Sequence, residues 1–400
     1  MSTTGAQEPI ESTVGGGHSS LVELTTGELL LVGSRLQERR SSDGGRTWSD
    51  FVPLIDGQGI ALLGGPSSTG VLRLQSGALA ITYGRTQPAA GPHDDFGLFI
   101  RLSRDEGRTW SSEVRINTVG ALAPSYHNVM IQLRSGRLVF PVRWIFAGSH
   151  ADRGPRSHAW ARLSGQRFAV EGHAHRPEID IAFVYYSDDE GQTWHRSEGE
   201  LVGWFNDGHD GVTPVDEPVA VELRDGRVLL FARSTVGRIV KSYSRDGGAT
   251  WSSVEPTDIA NSYSPCRVAR VPGSDDLLLI WNQVTGEEIR RGYRRGRLST
   301  AISKDDGLTW ERHRTLAISP GLADVTRVRP EPALRMVRAR DNVGDLPDGY
   351  ALYHYPDVAF TADEAFLRYN AGLYSPTDNG VVQRQERRLR VVRIGWLYEA

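Results

Sequence analysis

Arginines, carboxylates, histidines and tyrosines recur along this chain at positions that serve neither a turn nor an apolar face. They are His18 and Arg35; Ser67, Arg85, Asp94 and Asp95; Tyr126, His127, Asn128 and Arg143; Asp216, Glu217 and Arg233; Trp281, Asn282 and Arg295; and Tyr355, Arg368 and Tyr369. A guanidinium grips an anionic oxygen through two parallel hydrogen bonds. Carboxylates and imidazoles move protons near neutral pH, and a phenol offers a nucleophile or a stacking face. Brought together, these groups make a pocket for a polar, anionic ligand.

These residues are spread from position 18 to position 369, so a repeating scaffold has to gather them. The phrase Ser-x-Asp-x-Gly-x-Thr-Trp occurs five times, at Ser41–Trp48, Ser103–Trp110, Ser187–Trp194, Ser244–Trp251 and Ser303–Trp310. Its Asp and Ser can accept backbone N–H groups, its Gly can supply a positive φ, and its Trp can staple the turn to a sheet. One such phrase is an ordinary turn; five at similar separations are internal repeats. Ahead of each phrase lie two apolar strands around a short polar turn, at Gly27, Gly77, Gly136, Gly226 and Asp275, and a sixth hairpin turns at Asp363. Four antiparallel strands per repeat, six times over, predict an all-β fold: a six-bladed β-propeller of four-stranded antiparallel blades. Residues 1–14 read as a flexible N-terminus, and 15–400 as one propeller with long loop inserts near 147–176 and 316–349. The end of the chain, Leu389–Ala400, has apolar positions suited to an outer strand or ring closure. Strand parity puts the first turns and the Asp-boxes on one rim, and the residues named above on the other.

Composition narrows the function classes. A net charge of −3 carries no electrostatic footprint for nucleic acid, and the one dense basic run, Arg384–Arg393, reads as a strand with a solvated face. The single Cys266 excludes an intrachain disulfide and a cysteine-based zinc site, and reads as a small buried hydrophobe. His158, His173 and His175 are too loosely spaced to argue for zinc, so neither metal nor cofactor is expected. No apolar run approaches the roughly 20 residues of a membrane span, and the first residues lack a basic start and an apolar core. The expectation is a cytoplasmic protein acting on a small polar ligand, without membrane or nucleic-acid partners.

With these five boxes the chain resembles the sialidase (neuraminidase) superfamily, six-bladed propellers that carry Asp-box, or BNR, repeats. In that family an arginine triad grips the sugar carboxylate, a tyrosine is the nucleophile, a glutamate activates it, and an aspartate is the general acid and base. A neutral phenol approaches an anomeric carbon that already bears a carboxylate more readily than a second anion would; tyrosine nucleophiles are an exception among retaining glycosidases. The segment EPVAVELRDGRVLLFARS is similar to the one running from the family's glutamate to its second arginine, implying Glu217 and Arg233. A hairpin turn at Asp225 and Gly226 brings these two to within about one residue of facing each other. RGRLSTAISKDDG resembles the strand that carries the third arginine, implying Arg295, and HYPDV resembles the nucleophile segment, implying Tyr355 with Tyr353 as its near neighbour.

Two family elements have no counterpart. Gly17 and His18 stand where the first triad arginine would open blade one. The loop SRLQERRSS offers Glu38 alone where the acid would lie, so Asp94 and Asp95 of blade two are the substitutes by position, with His127 behind them. The resemblance implies an exo-acting glycosidase releasing a terminal acidic sugar, either sialic acid or a uronic-acid-like sugar. Tyr355, Glu217, Asp94, Asp95 and His127 would be its catalytic set. Arg233, Arg295, His18, Arg35, Asn128, Arg143 and Asn282 would bind substrate. The alternatives are a carbohydrate-binding propeller without turnover and a uronate-directed lyase using Tyr355 and His127. The Asp-box aspartates Asp43, Asp105, Asp189, Asp246 and Asp305 are expected to be structural.

Overall fold

Every Asp-box closes through the same serine and aspartate hydrogen bonds, and three add a bond from the tryptophan indole. At Asp246, the Ser244 hydroxyl donates to Oδ1 at 2.8 Å and accepts the Gly248 N–H at 2.7 Å. Thr250 donates its N–H to Oδ1 at 2.9 Å and its hydroxyl to Oδ2 at 2.5 Å, and the Trp251 indole caps the Gly248 carbonyl at 3.1 Å. The same carboxylate bonds recur at Asp43, Asp105, Asp189 and Asp305. Accepting so many donors holds these carboxyls low, Asp43 at about 2 through Thr47 first of all.

The fourth box position takes a left-handed backbone. Two boxes place Gly there, while Glu106, Glu190 and Asp306 accept φ of 60°, 55° and 58°. Two of these side chains repay the strain across a blade boundary. Glu106 accepts the Thr25 N–H at 2.8 Å and pairs with Arg73, and Asp306 accepts the Arg224 N–H at 3.0 Å. The box of one blade therefore latches the first turn of the blade before it, which puts both on one rim.

The computed structural model describes residues 9–15, 18–64, 70–87, 95–118, 122–123, 129–145, 158–163, 166–171, 180–205, 211–293, 295–331, 346–374 and 382–399. The predicted architecture is present: six antiparallel blades around a ring. Blade one is Ser20–Glu23, Leu29–Gly33, Gln37–Ser41 and Val52–Pro53; blade two is Gly70–Arg73, Leu79–Gln87, Asp95–Ser103 and Val114–Arg115. Blade three is Ile131–Gln132, Leu138–Ile145, Asp180–Ser187 and His195–Arg196, with Leu122–Ala123 added beside its second strand. Blade four is Asp216–Glu222, Val228–Arg233, Arg238–Ser244 and Glu255–Ala260, and blade five is Arg267–Arg270, Leu277–Trp281, Arg297–Ser303 and Glu311–Ile318. Blade six is Ala351–Phe360, Glu364–Tyr374 and Val382–Arg393, with Ile10–Thr13 as its fourth strand.

The core lies between blades. Second strands such as Leu29–Gly33 and Val228–Arg233 are buried along their whole length, which explains their unbroken apolar runs. Ring closure packs Leu21, Leu29 and Leu31 of blade one on Phe366, Leu389 and Val391 of blade six. Each such side chain contributes about 1.5–3 kcal/mol when fully buried.

Two expectations change. Ile10–Thr13, within the segment expected to be flexible, pairs antiparallel with Val391–Arg388 and completes blade six. An outer strand needs only one neighbour, so a short segment with a single apolar anchor suffices. The chain end does not supply that strand: Ile394–Tyr398 forms a 3₁₀ turn whose Tyr398 hydroxyl reaches Ser274 and Asp276. The Arg384–Arg393 run is a strand, as expected, with Arg387 buried on the face it shares with Leu389 and Val391 and Arg388 and Arg390 on the more exposed one. Within the first insert, His158–Leu163 and Gln166–Glu171 pair as a hairpin.

Candidate active site

On the rim opposite the boxes, the hairpin of blade four sets Asp216 directly across from Arg233. The register then slips, so that Glu217 and Pro218 form a bulge, and Glu217 takes φ of 47°. Blade six repeats the device: the pairing slips between His354 and Asp357, leaving Tyr355 and Pro356 bulged with Tyr355 at φ 55°. Arg295, ahead of the third strand of blade five, sits at φ 55° as well. Left-handed backbone costs on the order of 1–3 kcal/mol at a non-glycine residue, and it persists at Glu217, Arg295 and Tyr355, as it does at Arg35 in its turn away from them.

Asp216 and Glu217 are wholly buried. Asp216 is clamped by Arg143 and Arg233, the latter through Nε at 2.6 Å, and accepts the Tyr263 hydroxyl at 2.9 Å. Glu217 lies 3.0 Å from Arg233 Nη1 and 4.0 Å from Arg143 Nη1. The two neighbouring carboxyls consequently diverge. Burial alone would raise Asp216, but the two guanidiniums hold it well below the usual carboxylate range. Burial raises Glu217 despite Arg233 and Arg143, and the charge on Asp216 adds to the rise. Arg233 is itself raised by Asp216 and Glu217 against its own desolvation.

Half-buried groups stand around this floor. The Arg295 guanidinium lies 5.4 Å from the Tyr355 ring centre, and Arg233 lies 4.3 Å from that of Tyr263. Arg295 is fixed at three points: its N–H donates to Ser262 Oγ at 3.2 Å, its carbonyl accepts the Tyr353 N–H at 2.8 Å, and Nη2 donates to the Tyr263 carbonyl at 3.3 Å. His18 packs edge to face on Tyr355 with ring centres 5.1 Å apart. Its pKa is lowered to about 4 by burial and by Arg387, so the imidazole is neutral at pH 7.

The fold thus brings together Glu217, Arg233, Arg295, Tyr355, His18 and Arg143, from blades one, three, four, five and six. Arg143 and Asn282 have duties inside the fold. Arg143 is almost entirely buried against Asp216. Asn282 is fully buried; its amide donates to the carbonyls of Arg297 at 3.0 Å and Tyr353 at 2.7 Å and accepts from Ser264. Engaged in this way, the Asn282 amide supports the segment that carries Tyr355. Trp281 is likewise core, with its indole on the Ala260 carbonyl. Arg35 is exposed in a tight turn of blade one and makes no hydrogen bond to the cluster among the described residues. Tyr353 is buried and donates its hydroxyl to Ile318, which separates it from Tyr355. Glu38 is buried with Arg40 within blade one. Asp94, His127 and Asn128 lie outside the described residues; of Asp95 the backbone is described, as the start of a strand.

Sequence reasoning missed Tyr263 and the buried Arg267 and Arg387; Arg368, named with the rim residues, is buried with those two arginines around Asp357. Tyr263 lies in the connection between blades four and five, which by parity belongs to the same rim, and that placement could have found it.

The model of the BNR repeat-like domain family matches residues 101–367, more than half of the chain. A sialidase of Micromonospora viridifaciens is 26% identical over 360 residues, 85% of this chain and 47% of the relative. A sialidase of Bacteroides fragilis is 25% identical over 316 residues, 70% of this chain and 49% of the relative. The chain spans about half the length of these curated relatives. Among solved structures, a Dyadobacter fermentans protein of unknown function superposes with a TM-score of 0.60 at 15% identity, covering 98% of this chain and 100% of that one. The Trypanosoma rangeli sialidase in complex with 2,3-difluorosialic acid gives 0.52 at 14% identity, covering 98% and 57%. The boxes, the closed ring and the family match agree: the chain belongs to the BNR repeat-like domain family, with a propeller of the sialidase-superfamily kind.

Proposed function

We propose that the protein is an exo-acting glycoside hydrolase that releases a terminal acidic sugar, either sialic acid or a uronic-acid-like sugar. The observation that carries this reading is the convergence of Tyr355, Glu217, Arg233 and Arg295 on one rim, with three of the four on left-handed backbone. Strain kept at residues of catalytic type is more economically explained by function than by packing. The sialidase relatives support the same class.

In the proposed reaction, Arg233 and Arg295 hold the substrate carboxylate and orient the anomeric carbon toward Tyr355. Tyr355 Oη attacks that carbon while Glu217 takes the phenolic proton; a carboxyl raised by burial is suited to that exchange. Asp94 or Asp95 protonates the leaving oxygen, with His127 behind them, and then draws a proton from the water that releases the sugar. His18, neutral and set against the Tyr355 ring, stands where a third arginine would, which leaves Arg233 and Arg295 for the carboxylate.

One observation favours a second reading, a carbohydrate-binding propeller without turnover. Glu38, the acid that blade one could offer, is engaged with Arg40 inside its own sheet. Hydrolysis of aryl glycosides of sialic, glucuronic and galacturonic acid and of neutral sugars separates the two. Turnover of an acidic member supports the hydrolase, and binding of free sugar with no turnover across the panel supports the binding propeller.

A further inference from the structure

Beside the site, on the side of blades one and six, three more arginines are buried around a single carboxylate. Asp357 pairs with Arg368 and lies 3.4 Å from Arg267 Nε. Arg387 comes up from the third strand of blade six and donates Nη1 to the Tyr355 carbonyl and to Asn370 Oδ1, each at 2.9 Å. Arg368 reaches Ser19 Oγ at 3.5 Å. Exposure is 8% at Arg267, 1% at Arg368 and 4% at Arg387, against 1% at Asp357. No other carboxylate among the described residues pairs with these three, so within those residues the cluster holds two positive charges in excess where water is nearly excluded.

Such an arrangement is costly unless something neutralises it. Arg267 carries the clearest sign of an absent partner: its Nη1 is buried with no hydrogen-bond acceptor, and its Nε, 3.4 Å from Asp357, makes no hydrogen bond either. Mutual repulsion shows at Arg387, pushed down to about 9 by burial and by the Arg368 charge. Among the described residues no other group neutralises this surplus, and the cluster is distinct from Arg233, which pairs with Asp216 and Glu217, and from Arg295, which lies against Tyr355: Arg267 of blade five and Arg368 of blade six gather on Asp357.

We propose that Arg267, Arg368 and Arg387 form a second anion site, fitted to a compact oxyanion of charge −2, sulfate or phosphate, either free or as the ester of a sugar. A dianion would cancel the two excess charges and give Arg267 its acceptor. The site does not rest on Tyr355 acting as a nucleophile, although its contact with the Tyr355 carbonyl would couple occupancy to the position of that residue.

The test is calorimetric titration of the full chain with sodium sulfate and sodium phosphate in chloride buffer of fixed ionic strength, with melting curves in parallel. Saturable binding and a raised melting temperature are expected in the wild type. Arg267→Met should weaken binding at least tenfold while the ligand-free protein melts at or above the wild-type temperature, because a buried charge has been removed. Arg267→Gln serves the same purpose should the Met variant not fold. A galactose 6-sulfate and a glucose 6-phosphate arm identifies the source. Binding at least tenfold tighter than the inorganic ion, with the gain lost in Arg295→Ala, places the anion on the substrate; equal binding makes it a free ion. Absence of any sulfate or phosphate effect beyond chloride, or equal binding by the wild type and both Arg267 variants, would overturn the proposal.

Discussion

Glu217 and Tyr355 reach the rim by one local device, though they belong to different blades. Each precedes a proline, each is the extra residue of a bulge, and their φ angles are 47° and 55°. A proline has no N–H to return to the ladder, so the strand cannot anneal back into register and turn the preceding side chain away. Pro218→Ala and Pro356→Ala are expected to lower kcat/KM by about tenfold or more through misplacement of the side chain. Stability should change by only about 1 kcal/mol, in line with ordinary backbone substitutions. Steady-state kinetics and urea denaturation of each variant check this.

Glu217 should cost the fold stability as pH rises. Its carboxyl is raised in the folded protein by burial, so above the unfolded value of 4.5 the unfolded chain has lost a proton that the folded one keeps, and stability falls with increasing pH up to the folded pKa. Glu217→Gln removes this dependence. Denaturation midpoints between pH 4 and 8 are expected to fall less steeply with rising pH in the variant, while turnover is lost.

His18 acts in the opposite direction. With a folded value of about 4 against 6.5, the unfolded chain binds a proton that the folded state refuses, so stability is full above pH 6.5 and declines as pH falls toward 4. The decline amounts to roughly 2–3 kcal/mol across that window. His18→Asn should flatten it, which midpoints at pH 4.5 and 7 will show.

The boxes should matter to stability and not to chemistry. Asp246→Ala removes the acceptor of three hydrogen bonds, from Ser244 and twice from Thr250, on the rim away from the site. A loss of about 1–3 kcal/mol is expected, with kcat unchanged for the folded fraction. Urea melts and active-site-normalised rates measure the two separately.

The propeller was legible because its signals are local and repeated. Asp, Gly, Thr and Trp in fixed order dictate the same turn each time, and Gly27, Gly77, Gly136 and Gly226 turn their hairpins at φ between 82° and 92°. The fourth strand of blade six was not legible, because Ile10–Thr13 carries no turn and pairs with residues at the other end of the chain. In the site, Glu217 and Arg233 were within reach since one hairpin sets their register, whereas Asn282 reads as a polar rim residue until its three partners are seen. Arg387 shows the same limit: in a run of arginines, sequence cannot say which one turns inward, and burial is decided by blade one packing on blade six.

The most direct measurement is kcat/KM of Tyr355→Phe on whichever acidic aryl glycoside the wild type hydrolyses, with binding of the free sugar followed in parallel. Loss of the hydroxyl should lower kcat/KM by about 10³-fold or more, since the step it performs has no substitute in the pocket, while sugar affinity stays within about threefold. Turnover by Tyr355→Phe within tenfold of the wild type would contradict a nucleophilic role for Tyr355 and, with it, the proposed chemistry of this rim.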